Sequence, residues 1–341
     1  MEEEVRVSLD DFRAVLIDKL EKHKVGEAEA KKVADIFTRN AAEGVISHSV
    51  LRVVRLIASY DSKMAIPGNM PIPVSCFAAA ERYDANRTIG VIAASFAMER
   101  ACELSQKYGI GMAALKRANH WMRGGYYGWL AAERGKVGIC WTNTMPNLPS
   151  WGSKVSNIGN NPFIMAVPGT DGQHMILDTS MSQFSNGKLE VMRRAGKMLP
   201  VDGGYDESGS LTRVPGDIEK TKRSLPMGFW KGSSMSILLD TAAAILSDGD
   251  DTASVKRYIT ANGVDECDLS QVFIAVDPET LGAERMAEIE KSVKDNIHNA
   301  PRANENFAGR YPGERAPQDR ARAMKEGILI PAEAWRQISE L

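Results

Sequence analysis

Histidine is scarce in this chain, with five in 341 residues, and two of the five stand in company suited to acid–base chemistry. The first lies in Ser47-His48-Ser49-Val50-Leu51-Arg52. Imidazole is the side chain whose proton moves near neutral pH. Ser47 offers a hydroxyl to orient the ring, and Arg52 places a guanidinium four residues on. That pairing suits an anionic carbonyl compound: arginine fixes a carboxylate while histidine exchanges a proton with the oxygen. A plainer reading, a helix-capping histidine on a solvated loop, fits the same residues. The second histidine, His120, lies in a stretch from Lys116 to Trp129 that mixes the cation Arg123, four aromatics, and Gly124, Gly125 and Gly128. Such a segment allows close backbone approach to a ligand, with aromatic walls, or it is a glycine turn over buried rings. A third cluster, Phe229-Trp230-Lys231-Gly232-Ser233-Ser234, precedes an apolar helical run. Free N–H groups at a helix start, together with Lys231, suit a phosphate; alternatively Ser233 is simply an N-cap.

Several function classes lose support at once. Lys plus Arg is 42 against Asp plus Glu 44, so the basic excess of a nucleic-acid binder is missing. No apolar run approaches the ~18–20 residues that span a bilayer. The acidic start at Met1 lacks the charge and apolar pattern of a signal peptide. Cys76, Cys102, Cys140 and Cys267 are far apart and form no C-x-x-C pair, which reads as reduced thiols in a cytoplasmic, metal-free protein. No H-E-x-x-H, G-x-S-x-G or P-loop occurs. Residues 109–114, from Gly109 to Ala114, do match G-x-G-x-x-A. A dinucleotide turn needs strand, glycine, then helix, and here the helix comes first, so Gly109 reads as a helix C-cap.

The elements that must position these clusters follow from periodicity. Ser8 caps a helix carrying Phe12, Val15, Leu16 and Leu20; a second helix runs from about 27 to 43, closed by Gly44; a third covers 50–60. Pro67, Pro71 and Pro73 make an extended connector. A long helix spans 89–108. Short β-prone runs follow at 111–115, 137–144, 163–167 and 175–177, then a helix at 182–195, a loop at 196–226, a helix at 234–246 and a strand at 272–276. Helices close the chain at 284–298, 316–325 and 332–341. Strands following strands predict an α+β protein with a mixed or mostly antiparallel sheet, not a doubly wound one. The expected division is a terminal helical domain of 1–75 plus 300–341, a connecting subdomain of 76–118, and a central sheet domain of 119–299.

Longer stretches carry a resemblance. Ser47-His48 with Arg52, Asn119-His120, Ile158-Gly-Asn-Asn161-Pro162, Leu177-Asp178 and the run from Leu199 to Gly204 are similar to the non-Rossmann family of NAD(P)-dependent 2-oxo-acid reductases. That family includes malate, sulfolactate and ureidoglycolate dehydrogenases, and the resemblance covers nearly the whole chain. The runs 118–125, 138–143 and 225–232 resemble its sugar-acid reductases in particular. The resemblance implies a non-Rossmann fold, a homodimer, and reversible hydride transfer between NADH, or less well NADPH, and the C2 carbonyl of a sugar acid. It makes His48 the proton donor. It assigns cofactor contacts to His174, Met175, Ile176, Leu177, Asp178, Thr179 and Ser180, to Trp230 and Lys231, and to Gly313, Glu314 and Arg315. Ser47, Arg52, His120 and Arg123 become the substrate residues. Two positions depart from the family pattern: Ser49 stands where glycine is usual and Glu314 where a close relative has histidine. The first is expected to alter substrate fit, the second cofactor preference. Other 2-oxo acids remain open as substrates, as does a catalytically silent sensor.

Overall fold

The computed structural model describes residues 3–303, 305 and 308–341, so Met1 and Glu2 of the acidic start lie outside the described residues. The strands are β1 (Glu4–Val7), β2 (Ile72–Phe77), β3 (Ala80–Asp84), β4 (Ile110–Ala118), β5 (Val137–Thr142), β6 (Leu148–Pro149), β7 (Ser156–Ile158), β8 (Phe163–Val167), β9 (Met175–Thr179), β10 (Gly204–Tyr205), β11 (Leu211–Thr212), β12 (Leu269–Val276) and β13 (Ile328–Pro331). The helices are α1 (Leu9–Lys22), α2 (Glu27–Ala42), α3 (Val53–Asp61), α4 (Gly90–Tyr108), α5 (Gly125–Ala132), α6 (Asn186–Arg194), α7 (Pro215–Thr221), α8 (Trp230–Ser247), α9 (Thr252–Asn262), α10 (Met286–His298), α11 (Ala316–Glu326) and α12 (Ala332–Glu340).

Seven strands form one mixed sheet in the order β2-β3-β4-β12-β5-β8-β9. Only β3 and β4 pair parallel, joined through α4; the other neighbours are antiparallel. This is the α+β arrangement expected from strands that follow strands. Alternation along the strands builds two cores. Phe273, Ala113 and Leu115 face α4 and α5 and pack with Met98, Trp121 and Tyr127. Their neighbours Val272 and Ala114 face α8 and pack with Trp141, Leu239 and Ala243.

A third core joins the two chain ends. Phe12, Leu16, Leu20, Val33, Phe37, Leu56 and Ile57 pack with Ile330 and Ile338. Strand β1 pairs antiparallel with β13, from Glu4 opposite Pro331 to Val7 opposite Ile328. Both strands are four residues long, too short for a periodic signal, and neither is expected from sequence.

Other differences have local causes. The proline connector continues into β2, a sheet edge where Pro73 needs no outward N–H partner; the register slips between Pro73 and Ser75. Residues 76–118 supply β3 and β4, joined by α4, to the same sheet as β5, β8, β9 and β12. The third helix begins as a 3-10 turn, Val50–Arg52, before α3. Gly109 has φ +81° and ends α4, with β4 after it, which disposes of the Rossmann match. Helix α8 starts at Trp230, and Ser233 is not its cap: the Ser233 hydroxyl accepts the Trp151 N–H at 2.9 Å from inside the first turn. Among the described residues, no helix is long and apolar enough to cross a membrane.

Candidate active site

His48 ends a 3-10 turn, Ile46–His48, which begins four residues after α2. The Ser47 hydroxyl lies 3.0 Å from His48 Nδ1, which fixes the ring and leaves Nε2 as the nitrogen for a ligand. Ser49 is buried and donates its hydroxyl to the Val45 carbonyl at 2.8 Å. Its extra atoms therefore brace the turn that carries His48. Helix α6 presses on the turn from outside. A Cβ on Gly187 would stand 2.6 Å from Ser47 Cβ and 2.8 Å from its hydroxyl. Gly187→Ala is therefore expected to displace the histidine turn and lower kcat by at least ~10-fold, because sub-ångström misplacement of reacting groups is costly. Steady-state kinetics beside a melting curve will check it; wild-type kcat would show that the turn tolerates the displacement.

His120 comes from the end of β4, 72 positions along the chain, yet its ring stacks on His48 at 6.2 Å between centroids and 15° between planes. Asn119 anchors it: the buried amide donates to the Met64 and Thr88 carbonyls, and the Asn119 carbonyl accepts from Gln271. His120 Nδ1 accepts the Met122 N–H at 3.0 Å, so the neutral ring carries its proton on Nε2. That Nε2 faces Glu266, whose carboxylate is 3.9 Å away.

Burial holds both imidazoles neutral. It depresses His48 from the usual 6.5 to about 4, assisted by the charges of Arg52, Arg123 and Arg55. His120 is pushed well below its ordinary value by burial first, then by Arg55, His48 and Arg52. Arg52 and Arg55, whose charges act on both rings, differ in their state. Arg55 is bound to Asp265 at 2.7 Å and lies 3.8 Å from Glu266. Arg52 forms no ion pair among the described residues, and its buried Nε has no hydrogen-bond partner. Burial and Arg55 lower its pKa. A guanidinium with no ion pair among the described residues, near two neutral imidazoles, can receive an anion.

Arg123 departs from the expected role. Its guanidinium pairs with Glu43, a fully buried carboxylate at the C-terminal end of α2. Arg39 and Arg320 converge on the same carboxylate at 3.1 and 2.9 Å. A negative charge at a helix C-terminus in a dry site needs that compensation. Arg123 thus reaches His48 through its field, while its hydrogen bonds go to Glu43 and Asn40. The glycines and aromatics around it serve packing too. Trp121, Tyr127 and Trp129 are core residues, and a Cβ on Gly128 would meet Ile164 at 2.9 Å, so these positions seat α5 on the sheet.

The residues expected to meet a cofactor form one strip along β9, the outer strand of the sheet. Pro312 accepts the Ile176 N–H at 2.9 Å, and Gly313, at φ +90°, lies so close that a Cβ would stand 3.0 Å from Ile176 N. At the other end, Met181 accepts the Met227 N–H at 2.8 Å, which brings the start of α8 with Trp230 and Lys231 to the end of β9. Between them Leu177 and Asp178 are exposed, and Asp178 accepts the Gly125 N–H at 2.7 Å. Desolvation of that carboxyl group, tucked against Gly125, raises its pKa, with Arg123 and the N–H opposing. A backbone cradle at Gly313, with the exposed cations Lys231 and Arg315, fits an extended anionic dinucleotide. His174 is turned inward: its Nδ1 accepts the Gly169 N–H and its ring packs on Trp129. The Glu314 carboxylate is held by His298 Nε2 at 2.9 Å and the Tyr311 N–H at 3.2 Å, which fixes its position beside the strip.

Gly187, Glu43, Arg55 and Glu266 were not singled out from sequence as site residues. Gly187 stands in an ordinary Gly-Lys pair, and Asp265-Glu266 in an ordinary acidic pair; neither has a local pattern. No group of three or more His, Cys, Asp or Glu side chains among the described residues could hold a metal ion.

Comparison with known proteins follows the same geometry. The family model described as malate/L-lactate dehydrogenase matches residues 7–339. The chain belongs to the malate/L-lactate dehydrogenase family. Family membership makes it an oxidoreductase. It is 44% identical over 339 residues to proteins named 2,3-diketo-L-gulonate reductase from Salmonella newport and Klebsiella pneumoniae, covering 99% of this chain and 100% of each relative. Among solved structures, malate dehydrogenase from Entamoeba histolytica superposes with a TM-score of 0.93 at 21% identity, covering 99% of this chain and 97% of that one. Sulfolactate dehydrogenase from Methanocaldococcus jannaschii gives 0.85 at 25% identity, covering 98% and 96%. These likenesses place the fold within the non-Rossmann dehydrogenases of the family.

Proposed function

We propose that the chain catalyses reversible reduction of the C2 carbonyl of 2,3-diketo-L-gulonate to 3-dehydro-L-gulonate with NADH. The single observation that carries this reading is Arg52, an unpaired guanidinium beside the Ser47-oriented His48. Arg52 holds the substrate carboxylate, which sets the neighbouring carbonyl oxygen toward His48 Nε2. In reduction His48 gives its proton to the developing alkoxide; in oxidation the neutral ring takes the alcohol proton. His120 contacts a second substrate oxygen. When bound, the nicotinamide exchanges a hydride with the substrate carbon. Residues 174–180, Trp230, Lys231 and the segment from Gly313 to Arg315 hold it, with Lys231 and Arg315 offsetting pyrophosphate charge. NADH is the preferred carrier over NADPH. Identity of 44% over the full length to proteins of the named activity supports the choice of substrate.

We further propose a cytoplasmic homodimer. Helix α8 supports it, exposing Met235, Leu238 and Ile245 on the side away from its sheet contacts. Four cysteines without a disulfide suit a reducing compartment.

The test is an NADH- and NADPH-absorbance panel over 2,3-diketo-L-gulonate, oxaloacetate, pyruvate and oxidised ureidoglycolate. The highest kcat/KM is expected with 2,3-diketo-L-gulonate and NADH. A faster simple 2-oxo acid would refute the substrate, and NADH binding without turnover of any acid would refute the enzyme.

A further inference from the structure

Glu266 has no role in the mechanism above, yet it is a buried carboxylate at the wall of the site. It stands three residues before β12, with its side chain 8% exposed. One oxygen, Oε1, accepts the Met145 N–H at 2.9 Å. The other, Oε2, forms no hydrogen bond among the described residues. The nearest donors to it are Arg55 at 3.8 Å and the neutral His120 Nε2 at 3.9 Å, both beyond hydrogen-bond length. Arg55 is already engaged by Asp265. His120 carries its proton on Nε2, because Nδ1 is taken by the Met122 N–H. A hydrogen-bond donor and a carboxylate acceptor thus face one another across a gap that neither closes.

A hydroxyl group completes that gap. Its oxygen, placed about 2.8 Å from each, accepts from His120 and donates to Glu266. A methylene there leaves both groups unsatisfied, a carbonyl offers Glu266 no proton, and a second carboxylate meets like charge. His48 lies one ring stack away, so the hydroxyl belongs to a different carbon from the one being reduced. We infer that Glu266 and His120 form a hydroxyl-recognition pair that selects polyhydroxylated 2-oxo acids over unsubstituted and dicarboxylic ones. The inference rests on the reading that a 2-oxo acid is reduced at His48, and it gives that reaction its substrate class from this chain's own residues.

The test compares 2,3-diketo-L-gulonate with 2-oxohexanoate, six-carbon acids with and without hydroxyls, and with oxaloacetate. Wild type, Glu266→Leu and Glu266→Gln are assayed for kcat/KM, with NADH titration and melting curves on each. Glu266→Leu is expected to lower kcat/KM for the hydroxylated acid by ~10-fold or more and to change that for 2-oxohexanoate by less than about threefold. Glu266→Gln keeps an acceptor for Met145 and falls between. Both variants are expected to gain on oxaloacetate, since the repelling charge is gone. If the leucine variant does not fold, the substrate ratio of the glutamine variant decides. Equal losses on both six-carbon acids, or an unchanged ratio, would overturn the hydroxyl pair and leave the reductase reading standing. Wild type inactive on all three acids would overturn that reading and the pair with it.

Discussion

His48→Ala is expected to lower turnover in both directions by roughly 10²–10⁴, the usual worth of a positioned proton donor or acceptor, while NADH binds as before. The ring is oriented by Ser47, and its pKa is held down to about 4, chiefly by burial. The direction of that shift sets the pH dependence. Above about pH 4 the free enzyme holds His48 neutral, the form that accepts a proton from an alcohol. Oxidation kcat/KM should therefore be level through neutral pH and fall as the ring protonates near 4. Reduction needs the protonated ring, so reduction kcat/KM should decline as pH rises above that value. An anionic substrate on Arg52 cancels one of the charges that depress the ring, so the limb in kcat should lie at higher pH than the limb in kcat/KM. Stopped-flow and steady-state profiles in both directions, with fluorescence titration of NADH, measure all of this. Full turnover in the alanine variant would remove His48 from the mechanism.

Arg52→Met is the second large effect. Removing the guanidinium that receives the carboxylate is expected to lower kcat/KM by roughly 30- to 5,000-fold, the range for losing one partner of a buried charge pair. Two further readouts separate an anion receptor from a packing residue. The pH limb attributed to His48 should move upward, because Arg52 heads the charges that hold the ring down after burial itself. The melting temperature should stay close to wild type, because the half-buried guanidinium has no ion-pair partner among the described residues to lose. A destabilised variant with an unchanged pH limb would show that Arg52 is structural. Arg123→Met should differ in stability: it leaves the buried Glu43 carboxylate short of one of three guanidinium partners, and the melting temperature should fall.

These expectations divide the site by how visible its parts are in the chain. Ser47, His48 and Arg52 sit within six residues, and local spacing alone suggested an acid–base pair with an anion receptor. The runs around Asn119, Leu177 and Trp230 carried a family likeness over nearly the full length. The helices on the long apolar stripes, the strand at 163–167 and the first part, 175–177, of β9 were also legible, because periodicity is local. What was not legible depends on distance. Gly187 matters only because α6 lands on Ser47, and Glu266 only because β12 lies beside β4, which brings it opposite a histidine 146 positions away.

The same reason governs Arg52 and Arg123, which look alike in sequence. The chain itself determined that arginines would be available near His48, that the glycine match at Gly109 followed a helix, and that strands would succeed strands into an α+β sheet. Only the tertiary structure decided which arginine is free. The buried Glu43 carboxylate must be neutralised where it lies, and the packing of α2, α5 and α11 hands it Arg39, Arg123 and Arg320. Arg52 has no such partner among the described residues: Glu190, Asp265 and Glu266 reach it only through their fields. Charge type is written in the sequence, but whether a charge is already spent is a property of the pairs that folding assembles.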